Sequence, residues 1–347
     1  MSEHFGTLPD GREVRRYRLR TPSGGELRLL DLGADVQGYR LDAGDPGSEV
    51  IVGFDDLDDV LAVRKAYFGA VVGRYANRLA AARITVDGRE YTLSANEGAT
   101  CLHGGAEGFD SRVWRVVEES ADAVAFELAS PDGDQGFPGE LTARARYGVL
   151  DGGFALELSA VTQAPTVALL TAHVYANLDL DGAGTIDDQV LTVDADAYVP
   201  VDADLIPTGE LATVAGTPFD LRGGEPIGRQ VAKPHPQTAL TGGGIDHSFD
   251  IAGSGLRRHA RLEDPRTGRS LELWSDQPGL QVFTGNFGDG SPRLAGGGRL
   301  ARGLGLALEP QQHPDAPHQS WSTDAILRPG ETWTSRIEWR FARGQTP

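Results

Sequence analysis

Turn-forming residues punctuate this chain from end to end, and that punctuation favours many short strands over long helices. Of 347 residues, 46 are Gly and 20 are Pro; the first admits left-handed backbone and the second forbids helix continuation. Between the turns, apolar and polar side chains alternate. Strands are expected within 13–32, broken by a turn at 21–25, and at 112–119, 123–129, 140–149, 153–161, 188–194, 270–275, 279–285 and 332–341. Residues 84–93 read as a hairpin turning at Asp87-Gly88. Residues 55–63, acidic with scattered apolar positions, read as a short helix or a loop. No long linker and no repeat of fixed period divides the chain. The expected architecture is all-β and mostly antiparallel, a single sandwich-like domain over residues 1–347.

Charge narrows the partners. A formal net charge of −18 argues against nucleic acid, which needs a basic surface, and suits a neutral ligand better than a polyanion. Cys101 is the sole cysteine, so no intrachain disulfide forms and no oxidising compartment is required. The amino terminus lacks a basic region followed by an apolar run. No stretch reaches the roughly 18–20 apolar residues that span a bilayer. A cytoplasmic protein with no membrane partner is the expectation, with monomer and homodimer both open.

Two strand-like segments stand out by their faces. In 303–315, period two puts Leu304, Leu306 and Leu308 on one side and Gly305, Ala307 and Glu309 on the other. Small side chains leading up to one carboxylate leave room for a ligand. In 169–178, Leu170, Ala172, Val174 and Ala176 share an apolar face, while Thr171, His173 and Tyr175 share a polar, aromatic one. A lone Glu at a strand end is ordinarily exposed, and a lone His among apolar residues is ordinarily structural. Two strands that both pair a dry face with an ionisable one point instead to a sugar-binding groove on a β scaffold.

Other candidates weigh less. His313 and His318 have zinc-like spacing, but Pro314 and Pro317 lie between them, and neither they nor His247 have a Cys pair nearby, so a metal site is rejected. Gly242–Gly244 is not a phosphate loop, because no Gly-Lys-Ser/Thr follows.

Several segments in colinear order resemble the aldose 1-epimerase (galactose mutarotase) family. They are Phe-Gly-Ala-Val-Val-Gly-Arg-Tyr-Ala-Asn-Arg (68–78), the 84–93 hairpin, and Leu-His-Gly-Gly with Gly-Phe-Asp and Val-Trp (102–114). Pro-Val-Asp-Ala-Asp-Leu-Ile-Pro-Thr-Gly-Glu-Leu (200–211), Gly-Thr-Pro-Phe-Asp-Leu-Arg (216–222) and Ile-Asp-His-Ser-Phe (245–249) follow. Gln-Pro-Gly-Leu-Gln-Val-Phe-Thr-Gly-Asn-Phe (277–287) and Leu-Glu-Pro-Gln-Gln-His-Pro-Asp-Ala-Pro (308–317) complete the set. The resemblance implies a galactose-mutarotase-like β-supersandwich with its site on the concave face of the large sheet. It implies Glu309 as catalytic base, His173 as acid and His103 as a second histidine. It also implies Asn77, Arg78, Asp246 and Gln277 as sugar-binding residues, an aldose as substrate, and neither metal nor cofactor. The chain departs from the family pattern at Leu169, Ala172, Val174 and Ala176. By parity the last three point away from the groove, whereas Leu169 lies on the face of His173 and bears on what holds the imidazole.

The implied reaction interconverts α and β anomers by opening and closing the ring hemiacetal, which needs one base and one acid on opposite sides of the sugar. Three rivals remain: an epimerase for a phosphorylated or unusual sugar, a glycoside hydrolase using Asp246 and Glu309, and a sugar-binding protein without catalysis.

Overall fold

In a computed structural model that describes residues 2–182, 184–294, 299–320 and 325–344, the chain forms antiparallel sheets with a few short helices. One sheet has eight strands in the order Arg115–Glu119, Ala123–Ser130, Leu141–Leu150, Gly153–Thr162, Trp333–Ala342, Ser270–Ser275, Arg257–Glu263 and Val190–Val193. The expected strands at 112–119, 123–129, 140–149, 153–161, 188–194, 270–275 and 332–341 all fall in it. A six-stranded sheet runs Tyr175–Ala176, Leu306–Gln311, Gly279–Phe283, Asp246–Asp250, Ala197–Tyr198 and Ala212–Thr213. Four amino-terminal strands, Ser2–Thr7, Glu13–Arg20, Glu26–Leu30 and Val36–Arg40, make a third sheet.

Local chemistry explains the punctuation. The hairpin of Arg83–Val86 and Arg89–Thr92 turns through Asp87 and Gly88, both at positive φ, the pair of left-handed residues that matches strand twist in a tight hairpin. The acidic segment at 55–63 holds a one-and-a-half-turn helix, Leu57–Ala62, capped by the Asp56 carboxylate on the Asp58 N–H and buried through Leu57 and Val60. Among the described residues, no helix is long and apolar enough to cross a membrane.

The main core joins Leu306, Leu308, Leu280, Val282 and Phe249 of the six-stranded sheet to Leu156, Leu158, Leu271, Leu273, Ile337 and Trp339 of the eight-stranded one. One face of the six-stranded sheet is thus committed to the interior, and its other face is free to build a site. Arg74 fastens the segment that leads to Asn77 and Arg78. It is 1% exposed and donates to the carbonyls of Ser130, Pro131, Pro138 and Gly139 and to the hydroxyls of Ser130 and Thr166. With carbonyls in place of a carboxylate partner, burial pushes its guanidinium down to about 10.

Two expectations about the paired strands need correction. Leu304 precedes the strand in a turn and packs with Leu300, Tyr175 and Ala307 in a second cluster, so strand parity does not extend to it. The small residues before Glu309 make room for Tyr175 and not for a ligand: a Cβ on Gly305 would meet Tyr175 Cβ at 3.0 Å and Val52 Cγ2 at 2.9 Å. Nor is 169–178 one strand. Thr171–Ala172 pairs with Val71–Val72, Tyr175–Ala176 pairs with Leu306–Ala307, and His173 sits where the chain changes partner. Ala172, Val174 and Ala176 do point into the main core. Leu169 bridges to Tyr75 and packs with Val72 and Val167, away from the imidazole.

The buried Thr171 hydroxyl donates to the Pro310 carbonyl at 2.8 Å, tying the segment of His173 to the strand of Glu309. Thr171→Val keeps the shape and orphans that carbonyl. It should cost about 1–2 kcal/mol in denaturant unfolding, and an unchanged midpoint would show the bond to be dispensable.

Candidate active site

The free face of the six-stranded sheet opens on a cavity of about 550 Å³ lined by Asn77, Arg78, His103, His173, Asp246 and Glu309. Aromatic side chains form its wall: Tyr67, Tyr175, Phe283 and Phe287. That mixture of apolar wall and convergent polar groups is how small-molecule sites are built.

Each polar group has a traceable mount. Glu309 sits mid-strand in Leu306–Gln311, paired with Gln281, and is 1% exposed. Its Oε1 lies 3.5 Å from His173 Nε2, and its Oε2 has no hydrogen-bond partner among the described residues. His173 is 5% exposed, held by main-chain bonds from its N–H to Ala70 O and from the Gly69 N–H to its own carbonyl. Its ring lies between Tyr67 and Tyr175, with centroids at 6.0 and 4.9 Å, and its Nδ1 finds no partner of hydrogen-bonding geometry. His103 follows a two-residue strand, Cys101–Leu102, paired with Arg78–Leu79. Gly104 makes that approach possible, because a Cβ there would lie 1.9 Å from the Gly73 carbonyl oxygen. Arg78 is gripped by Glu97 through two bonds, at 2.6 and 3.0 Å, and turns Nη1 toward Asp246 Oδ2 at 3.9 Å. Asn77, at positive φ, accepts the Arg78 N–H on its side-chain oxygen.

Burial dominates the electrostatics. It drives the Glu309 carboxyl well above the usual range, helped by the nearby Asp246 carboxylate and opposed by Arg78. It pushes His173 down to about 3 and His103 well below an ordinary imidazole, the latter also through His173 and Arg78. Asp246 is raised by burial against the pull of Arg78 and of a Gln281 hydrogen bond. These opposed shifts favour a protonated Glu309 carboxyl beside a neutral His173 imidazole, 3.5 Å apart.

Six of the seven expected site residues line the cavity together; Gln277 does not. Its side chain donates to Asp276 and to the Thr334 carbonyl beside the eight-stranded sheet, because the Pro278 turn separates it from the strand that follows. Gln281 does not line the cavity either but supports a residue that does: 3% exposed, it donates to Asp246 Oδ1 at 2.6 Å and pairs in register with Glu309. Alternation along 279–283, which puts Gly279, Gln281 and Phe283 on one face, carries the signal for it. Glu97, the brace on Arg78, and Tyr67, whose ring lies 4.5 Å from His103, were also missed. Both lie in turns that strand parity does not reach. The histidines set aside as metal ligands are engaged otherwise. His313 contacts Ser248 and Asp250, His318 contacts Asp315, and His247 contacts Gln237. The ligand atoms of His103, His173 and Glu309, by contrast, all lie within 4.8 Å of one another.

Comparison with known proteins gives the family. The sequence profile of the aldose 1-epimerase family matches residues 15–340. The chain belongs to the aldose 1-epimerase family. It is 39% identical to bovine galactose mutarotase, over 97% of each chain, and 37% identical to the aldose 1-epimerase of Escherichia coli K12, over 98% of this chain and 99% of that one. The crystal structure of galactose 1-epimerase from Lactobacillus acidophilus superposes with a TM-score of 0.86 at 25% identity, covering 99% of both chains. That of an aldose epimerase homologue from Caenorhabditis elegans gives 0.85 at 28% identity, covering 95% of this chain and 99% of that one. The fold is the galactose-mutarotase-like one expected from the sequence.

Gln281→Leu removes the donor that holds Asp246. Calorimetric titration should show aldose affinity falling about tenfold, in keeping with loss of a hydrogen bond to a charged group. Unchanged affinity would remove Gln281 from the site.

Proposed function

We propose that this chain is an aldose 1-epimerase, a single catalytic unit that interconverts the α and β anomers of free aldohexoses by acid–base ring opening and closure. The observation that carries the reading is the meeting of Glu309 and His173. They reach one cavity from different segments, both almost fully buried, with Glu309 Oε2 and His173 Nδ1 unpartnered. Groups so costly to bury without partners make sense where a ligand completes them.

The reaction follows from the proton they share. With Glu309 as carboxylate and His173 as imidazolium, Glu309 accepts the proton of the anomeric hydroxyl as His173 donates one to the ring oxygen. The carbon 1–ring oxygen bond breaks and an aldehyde forms. The pair now stands in its neutral tautomer, the form that burial favours. Rotation about the carbon 1–carbon 2 bond presents the other aldehyde face, and the two transfers run in reverse. The proton count of the site never changes. Arg78, braced by Glu97, and Asp246, braced by Gln281, offer a donor and an acceptor to ring hydroxyls, and Asn77 adds its amide nitrogen. Such fixed partners hold the ring where the transfers are short.

Lys65 and Arg78 are the Lys/Arg cations among the described residues of the cavity lining and face the carboxyl groups of Asp246 and Glu309, a balance that favours a neutral sugar over a phosphorylated one. A glycoside hydrolase would liberate monosaccharides from disaccharides, and a pure binder would leave anomer exchange at its spontaneous rate.

Glu309→Gln should lower turnover by about 10²–10⁴-fold with KM changed only a few-fold, read by NMR exchange between the anomers of glucose and galactose. His173→Asn should do the same, and a variant of either kind with near-normal turnover would take that residue out of the mechanism.

The pH profile should follow the single proton. Activity is lost in acid only when a second proton joins the pair. With His173 held down to about 3, the plateau should extend well below the ordinary imidazole range near 6.5. In base, activity falls as the raised Glu309 carboxyl loses the last proton. A fall of kcat/KM centred near pH 6.5 on the acid side would contradict this assignment.

A further inference from the structure

We propose that the main-chain N–H of Asn77 fixes His103 as a permanently neutral hydrogen-bond donor. This bars His103 both from the proton relay and from chelating a metal ion beside His173 and Glu309. The main-chain N–H of Asn77 points at His103 Nδ1 at 3.1 Å, and the main-chain N–H of His103 returns a bond to the Asn77 carbonyl at 3.1 Å. A main-chain amide only donates, so Nδ1 must keep its lone pair, and a neutral imidazole then carries its proton on Nε2.

Three consequences follow. An imidazolium would set two N–H groups against each other, so His103 does not store the acid proton. Around its ring stand Tyr67 at 4.5 Å, His173 at 5.4 Å and the Arg78 cation, and the one carboxylate near it, Glu309, comes within 4.8 Å and is itself driven toward its neutral form by burial. Donating the Nε2 proton outright would leave an imidazolate, so His103 holds a sugar oxygen without protonating it, and the acid is His173 alone. A metal at Nε2 would need the proton on Nδ1, facing a donor. Histidine ligands instead direct that second N–H at an acceptor. The three side chains have the proximity of a metal site and the wrong tautomer for one. Asn77 is therefore a positioning residue that acts through His103. Its left-handed backbone, at φ 63°, belongs to the turn that aims this N–H.

The role assigned to His103 rests on the epimerase reading; the tautomer does not, and the test separates them. Protein labelled with ¹⁵N-histidine is examined by long-range ¹H–¹⁵N correlation without sugar, and the His103 signals are found by their loss in His103→Gln. The expected result is an unprotonated Nδ1 and a protonated Nε2, unchanged from about pH 5 to about pH 8. A protonated Nδ1, or titration in that window, overturns the proposal. In the anomer-exchange assay, His103→Gln, whose amide can still donate, should keep turnover within about tenfold of wild type, while His103→Ala loses more. A glutamine variant as inactive as His173→Asn overturns the division of roles. Zinc chloride titrated against a chelating dye should find no ion held by this trio, and a single zinc ion lost in His103→Gln overturns the exclusion of metal. If the Nε2–H form is seen but wild type accelerates no anomer exchange, the functional reading fails and the tautomer stands.

Discussion

Everything distinctive in this molecule follows from burying an ionisable pair almost completely in the lining of one cavity. Glu309 is 1% exposed and His173 is 5% exposed, and a buried charge without full partners costs several kcal/mol. That cost pushes Glu309 up and His173 down, so that each favours its neutral form beside the other. The same proximity makes the ionised tautomer one proton transfer away. An acid and a base that must act together are thus stored as a nearly apolar unit and called on when a hydroxyl and a ring oxygen enter the cavity.

Such a pair needs a stiff mount. The six-stranded sheet supplies it by burying Leu306, Leu308, Leu280 and Val282 against the eight-stranded sheet, so that Glu309 and Gln281 project from a surface whose reverse is close-packed. His173 lies at a partner change and has no long ladder of its own; it depends on main-chain bonds to the 69–70 segment and on the Thr171 hydroxyl. Arg74, with its carbonyl cage, anchors the segment that continues to Asn77 and Arg78. Two of the cavity's polar groups are held by a neighbour in turn: Arg78 by the Glu97 carboxylate and Asp246 by the Gln281 amide. Positioning here is layered, because a group that moves by an ångström loses most of its catalytic use.

Strand parity reads well where alternate neighbours are committed to the core, whether inside a regular ladder, as at Glu309, or across the partner change at His173. Glu309 and His173 stood out because their neighbours Leu306, Leu308, Ala172 and Val174 belong to the core, and shifting either register by one residue would expose them. The eight-stranded sheet was legible for the same reason. Parity fails at turns: Leu304 and Leu169 were misplaced, and Gln277, taken from the resemblance and not from parity, lies outside the cavity. Glu97 and Tyr67 were invisible, since no local pattern predicts which turn residue will meet a side chain distant in sequence. The strands Asp246–Asp250 and Arg257–Glu263 went unassigned for a related reason: the charged residues within them blur the alternation.

The division between ladder and loop also separates chemistry from selectivity. The proton-sharing pair and Gln281 are set by sheet pairing and core packing, whereas Ala62, Val63, Lys65, Ala66 and Tyr67 form a wall carried by the short helix and turn after Asp56. Loops tolerate substitution far better than ladders do. Changes in that wall can therefore reshape the cavity without disturbing the 3.5 Å contact between His173 and Glu309. A sugar that fits differently is still opened by the same proton. On the mechanism proposed above, preference among aldoses is set by this wall together with Asn77, Arg78 and Asp246, and the proton transfers by the pair mounted on the sheet.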